Sequence, residues 1–103
     1  MKARVLDFDG FDWNAGNLKK AKKHGVEVSE IEAFFEQELL ILKDTKHSEK
    51  EERFIAAGYE RDNRPMFVAF TWRAKLIRVI SARFMHAKEG RAYENLKKNI
   101  QKS

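Results

Sequence analysis

Four side chains on and around one predicted strand raise the question of chemistry first: Arg73, Arg78, Ser81 and Arg83. With strict two-residue alternation, Ser81 and Arg83 share a face with Ile77 and Val79, while Arg78 points the other way with Leu76 and Ile80. An arginine set between apolar neighbours on a central strand is costly unless it is paired or meets an anion. Glu51 or Glu52 could supply a structural ion pair; a phosphate could supply the anion. The guanidinium fork matches phosphate oxygens. Cleaving an RNA phosphodiester without a metal needs cations to hold the added charge at phosphorus. It also needs a base for the 2′-hydroxyl proton and an acid for the leaving 5′-oxygen.

Two further polar stretches offer those groups. In His47-Ser48-Glu49-Lys50-Glu51-Glu52-Arg53, His47 titrates near neutrality and suits the acid or base. The same stretch also reads as a solvated hairpin loop. Lys22-Lys23-His24-Gly25 places cations at a helix C-terminus, where the helix dipole favours them and where they could also contact RNA. Trp13 and Trp72 could stack on bases or fill the core. His24, His47 and His86 lack the spacing of zinc ligands, and neither a glycine-rich phosphate loop nor a nucleophile elbow is present. No cofactor is expected.

These groups need a frame. Ala3 to Phe8 reads as extended, and Asp9-Gly10 breaks it. Asn14 caps a helix running to about Lys23, with Leu18 and Ala21 inward, and Gly25 suits a left-handed stop. A second helix opens at Val28-Ser29-Glu30-Ile31-Glu32, where Ser29 and Glu32 have capping-box spacing; Ile31, Phe34 and Phe35 form its apolar face. The period then changes. Leu39–Leu42, Arg53–Tyr59, Met66–Trp72 and Leu76–Ser81 read as strands, with a polar turn at Arg61-Asp62-Asn63-Arg64-Pro65 and a tight hairpin at Arg73-Ala74-Lys75. A helix from about His86 to Lys98 closes the chain, with Tyr93, Leu96 and Ile100 as its stripe and Gly90 weakening its first half. The expected fold is α+β: two N-terminal helices, a twisted antiparallel meander and a C-terminal helix.

The 103 residues suit one domain. With no cysteine, disulfides, thiolate metal sites and cysteine nucleophiles are excluded. No apolar run approaches the roughly 20 residues that span a bilayer, and the first residues lack a signal peptide's apolar stretch, so a cytoplasmic protein is expected. Charge is unevenly spread. Residues 25–52 carry three basic and nine acidic groups, whereas residues 53–103 carry twelve basic and four acidic. A basic half attracts polyanions through counterion release; an acidic middle argues against simple coating of nucleic acid.

The ordered segments resemble the BrnT family of bacterial toxins. They are Phe11-Asp12-Trp13-Asn14-Ala15-Gly16-Asn17, Lys23-His24-Gly25-Val26, His47-Ser48 with Glu51-Glu52-Arg53, Arg64-Pro65, Phe70-Thr71 with Arg73, Ile77-Arg78-Val79-Ile80-Ser81-Ala82-Arg83, and Lys88-Glu89 leading to Tyr93. Asn14 stands where the family usually has aspartate, and Asp62-Asn63 where a glycine is common. The resemblance implies a RelE-like fold, ribonuclease activity that blocks translation, and a BrnA-type antitoxin whose complex with the toxin represses its own operon.

On that basis Arg64, Arg78 and Arg83 are expected to bind and stabilise the phosphate. His47 or Glu51 acts as base or acid, and Tyr93 orients the site. Trp13, Lys22, Lys23, His24, Arg73 and Ser81 contact RNA. Expected partners are the RNA substrate, the antitoxin and a second copy in a homodimer within the toxin–antitoxin complex. A non-catalytic RNA- or protein-binding module and an inactive toxin kept for complex formation are the alternatives.

Overall fold

The computed structural model describes residues 3–23, 25–47 and 51–101. His24 and Ser48 lie outside them, as do the side chains of Lys22, His47 and Ile100. In chain order the elements are β1 (Ala3–Val5), β2 (Gly10–Phe11), α1 (Ala15–Lys23), α2 (Val28–Phe34), β3 (Glu38–Lys43), a 3-10 turn (Thr45–His47), β4 (Arg53–Tyr59), β5 (Pro65–Arg73), β6 (Leu76–Phe84) and α3 (Ala87–Gln101).

Six strands form one sheet in the order β1-β3-β4-β5-β6-β2. β3 to β6 make an antiparallel meander, and β1 adds antiparallel to β3. The sheet is nevertheless mixed, because β2 runs parallel to β6. That corrects the wholly antiparallel expectation. The chain that Asp9-Gly10 interrupts resumes at once as an edge strand, held by the Asp9 amide on the Lys75 carbonyl and the Asp12 amide on the Ile77 carbonyl.

One sheet face carries the main core. Phe34 and Phe35 at the end of α2, with Ile31, pack on Leu39, Met66, Val68, Phe70, Ile77, Val79 and Ala82. Edge-to-face rings join Phe8, Phe11, Phe35 and Phe70, with Phe35 and Phe70 centroids 5.1 Å apart. Such pairs add about 0.5–1.5 kcal/mol each beyond the area they bury. Gly58 lies under this layer. A Cβ there would sit 2.6 Å from Leu39 Cδ2, so the close approach of β4 to Phe34 and Leu39 depends on glycine. The opposite face is mostly open. A second, smaller cluster of Leu40, Ala57 and Tyr93 lies beneath α3 at one end of it.

Two helix starts differ from the sequence pattern. Ser29 and Glu32 do not form a capping box: α2 begins at Val28, its N-cap Glu27 makes no side-chain cap, and Glu32 accepts the Trp13 indole N–H at 3.1 Å. The reciprocal arrangement occurs at α3. The Glu89 amide donates to His86 Nδ1 at 3.3 Å, and the His86 amide donates to Glu89 Oε1 at 3.1 Å. Gly25, after α1, has φ of 72°, as its place past a helix end requires.

Candidate active site

The geometry of β6 decides which side chains meet. Ala69 pairs with Ser81 but Phe70 pairs with Val79, so Ile80 is an extra residue and the strand is bulged. The bulge resets the alternation. Ile77 and Val79 face the core before it; Ala82 is buried and Phe84 packs on the core after it. Strict alternation put Ser81 and Arg83 on the face of Ile77 and Val79, opposite Arg78. The structure instead sets Arg78, Ser81 and Arg83 all on the open face, opposite Thr71, Ala69 and Phe67 respectively.

At the hairpin end of this face, Thr71, Arg73 and Arg78 line a pocket of about 360 Å³ with Asp12, Ala74 and Leu76. Glu51 joins them, its Oε1 3.1 Å from Arg73 Nε. The contact is electrostatic, since that buried oxygen makes no hydrogen bond. Thr71 is 6% exposed, and its hydroxyl too has no hydrogen-bond partner. Glu52 is drawn to Lys43 at 3.4 Å. Neither glutamate therefore pairs with Arg78, and Arg78 has no hydrogen-bond or ion-pair partner among the described residues. Beside the half-buried Arg78 guanidinium the buried Thr71 hydroxyl lacks a hydrogen-bond partner, and a polar group buried in that way is costly unless something bonds to it, so this pocket can take up a further hydrogen-bonding group.

Arg83, at the other end, is occupied. It makes a two-pronged ion pair with Glu89, Nη1 to Oε1 at 2.8 Å and Nη2 to Oε2 at 2.9 Å, and lies 5.1 Å from the centre of the Phe67 ring. The Arg83 hydrogen bonds, with smaller help from the His86 amide, hold the Glu89 carboxyl at about 2. Ser81 lies between the two ends, on the same face.

The remaining candidates are dispersed. Arg64 belongs to the β4–β5 turn. Buried Glu60, 4% exposed, accepts the Arg64 side chain at 3.2 Å and the amides of Asp62 and Arg64, and the Arg64 guanidinium lies 4.1 Å from the Phe84 ring. Burial pushes the Glu60 carboxyl up, but these hydrogen bonds and the Arg64 charge outweigh it, leaving the group below its ordinary value. Tyr93 is buried against Leu40 and Ala57, with Tyr59 edge-on at 5.4 Å; burial, then the Glu94 charge, raises its phenol. Trp13 stacks on Phe11 at 6.0 Å while donating to Glu32. Lys23 is exposed in the last turn of α1, and the backbone of His47 ends the 3-10 turn that precedes β4. Thr71, Glu89 and Arg53, which faces Thr71 across the strands, were not singled out by their own chemistry in the sequence. Among the described residues no three His, Cys, Asp or Glu side chains gather to hold a metal ion, and no helix is long and apolar enough to cross a membrane.

Residues 13–89 match the family model described as the ribonuclease toxin BrnT of type II toxin–antitoxin systems. The chain belongs to that family. The matched span runs from Trp13 to Glu89, so the Glu51–Arg73–Arg78 cluster and the Arg83–Glu89 pair both fall within the BrnT domain. Type II BrnT toxins act with an antitoxin, which makes an antitoxin the implied partner. No curated protein sequence matches the chain.

Proposed function

We propose that this BrnT protein is a metal-independent endoribonuclease that arrests translation in the cytoplasm and is neutralised by a BrnA-like antitoxin, on a RelE-like fold. The observation that carries the reading is the partnerless Arg78 beside the unsatisfied Thr71 hydroxyl, with Glu51 held at the neighbouring Arg73. A phosphodiester in that pocket would meet the forks of Arg73 and Arg78, which neutralise the charge gained at phosphorus. Glu51 or His47 takes the 2′-hydroxyl proton as O2′ bonds to phosphorus. The P–O5′ bond breaks, and a second acid returns a proton to O5′, leaving a 2′,3′-cyclic phosphate and a free 5′-hydroxyl. Ser81 and Arg83 guide the chain further along the face, and Lys22, Lys23 and His24 on α1 and just past it add distant cationic contacts. Arg64, tied to Glu60, and Tyr93, in the small core, support this surface from its far end. A homodimer within the toxin–antitoxin complex fits the same reading.

The test is inducible expression with labelled amino-acid incorporation, together with cleavage of RNA by purified protein in EDTA. Rapid loss of translation and chelator-resistant cleavage, both absent in a folded Arg78→Ala variant, are expected. Equal cleavage by folded variants at Glu51, Arg73 and Arg78 would identify a contaminating nuclease. The internal pairing of Arg64 and Arg83 favours one alternative, a binding module without catalysis. Salt-sensitive RNA binding with no cleavage and no growth arrest would select it.

A further inference from the structure

We infer that the trough between the Arg78 pocket and α3 is a seat for one nucleobase of a single-stranded RNA whose phosphate lies at Arg78. The inference rests on the ribonuclease reading for the identity of its ligand. The floor is apolar: Leu42, Ile55, Phe67 and Ala69 present side chains from three adjacent strands around a cavity of about 400 Å³. Leu42 is 46% exposed, an apolar surface that no other part of the described chain covers. A polar edge runs along one side. Ser81 offers a hydroxyl, and the flat Arg83–Glu89 pair is fixed in place because Glu89 also caps α3.

Charge and spacing favour RNA as the occupant. The partnerless Arg78 faces Thr71, and the near rim of the seat is the Ala69–Ser81 pair, two residues away along β5. At about 3.4 Å per residue the two lie roughly 7 Å apart. A nucleotide bridges such a gap, with its phosphate on the cations and its base on the floor. An apolar platform beside a cationic track is how single strands are held without reading a duplex. An entirely apolar peptide segment would leave the Arg73 and Arg78 end unmatched.

The probe is a DNA tetranucleotide, which lacks the attacking 2′-hydroxyl, compared with the same backbone carrying no bases. Binding is followed by fluorescence anisotropy and by the amide resonances of Ala69 and Ser81. Wild type is expected to bind the base-bearing chain roughly tenfold more tightly, a difference in the range of stacking one base, with both amides shifting. Ala69→Leu, which fills the seat, should abolish the difference and leave binding of the baseless chain unchanged. Phe67→Leu keeps apolar volume without the ring and serves the same comparison if Ala69→Leu does not fold. Equal binding of the two chains, no binding of the base-bearing chain, or unmoved amides overturns the seat and leaves the trough to another occupant such as an antitoxin segment. Cleavage of RNA is scored separately. Cleavage without a base effect removes only the seat, whereas a base effect without cleavage keeps the seat and removes the ribonuclease reading.

Discussion

Arg78 and Arg83 stand on the same strand and the same face, five positions apart, yet their surroundings are opposite. Arg83 is gripped by both oxygens of Glu89, and that carboxylate also caps α3. Arg78 has hydroxyl, carboxylate and guanidinium neighbours but no bond to any of them. A charge that is satisfied within the fold contributes to holding an element in place. A charge with no partner inside the fold adds nothing to its fastening and keeps its binding capacity for something outside it. One end of β6 therefore reads as fastening, the other as function.

The largest expected effect follows from that contrast. Arg78→Ala should lower kcat/KM for RNA cleavage by roughly 10²–10³, the scale of removing one group that stabilises transition-state charge. Its melting temperature should stay the same or rise, since no internal partner is lost. Arg78→Lys keeps the charge without the fork and should fall between. Parallel cleavage rates and thermal melts of the two variants decide it; an Arg78→Ala protein that melts well below wild type would make Arg78 a fastening too.

The second prediction concerns the fastened end. The Glu89 carboxyl is depressed from its ordinary 4.5 to about 2, so its stabilising contribution is complete above about 4.5 and is lost as the pH falls toward 2. Glu60, also lowered by Arg64, contributes in the same direction. Thermal unfolding should show wild type losing stability across that window. Glu89→Gln and Arg83→Ala should each start less stable at neutral pH and show a shallower acid dependence. Arg78→Ala should keep the wild-type profile. A Glu89→Gln protein with the full wild-type slope would mean that Glu89 does not carry the acid sensitivity.

How far this contrast could be read beforehand depends on the bulge. The four-strand meander and the closing helix follow from apolar period and turn chemistry, which are local. The face of each arginine does not follow from counting by two, since one inserted residue reverses every position after it. The clue was present: the apolar positions shift from Ile77 and Val79 to Ala82 and Phe84, an odd-to-even change inside one strand. β2 escaped notice because two residues carry no period. Thr71 escaped because a threonine in a strand is ordinary; only its neighbours, brought together by β4 and β6, leave its hydroxyl unsatisfied. Whether a glutamate pairs with Arg73 or Arg78 is likewise a matter of tertiary distance. Capping-box spacing is present at Ser29, but the reciprocal bonds form at His86, where a ring nitrogen replaces the usual hydroxyl.

Salt dependence separates the same two arginines with a smaller signal. Each phosphate neutralised on a single strand contributes about 0.7 to the slope of log K against log salt. Arg78→Ala should reduce the slope for a DNA oligonucleotide by about that much. Arg83→Ala should change it by less than half as much, because Glu89 already neutralises Arg83. Equal slope changes would show that RNA displaces Glu89 and that both ends work alike.

The smallest effect tests whether the functional end carries backbone strain as well as an unpaired charge. The β5–β6 hairpin turns through Ala74 and Lys75, both at positive φ, 50° and 63°. Two-residue turns of this kind favour Asn-Gly because the left-handed conformation costs other residues about 1–2 kcal/mol each. Ala74 also lines the Arg78 pocket, and the turn fixes the spacing of Arg73 and Arg78 on their neighbouring strands. Ala74→Asn should fit the same turn with less strain, raising stability by about 0.5 kcal/mol, or a few degrees in melting temperature for a chain of this length. Cleavage should change by less than about twofold, because the backbone that positions the two arginines is retained. A gain in stability with unchanged cleavage would show that the strain is a by-product of the turn's tightness. A gain in stability with a clear loss of cleavage would show that the turn must yield for the phosphate to reach Arg78.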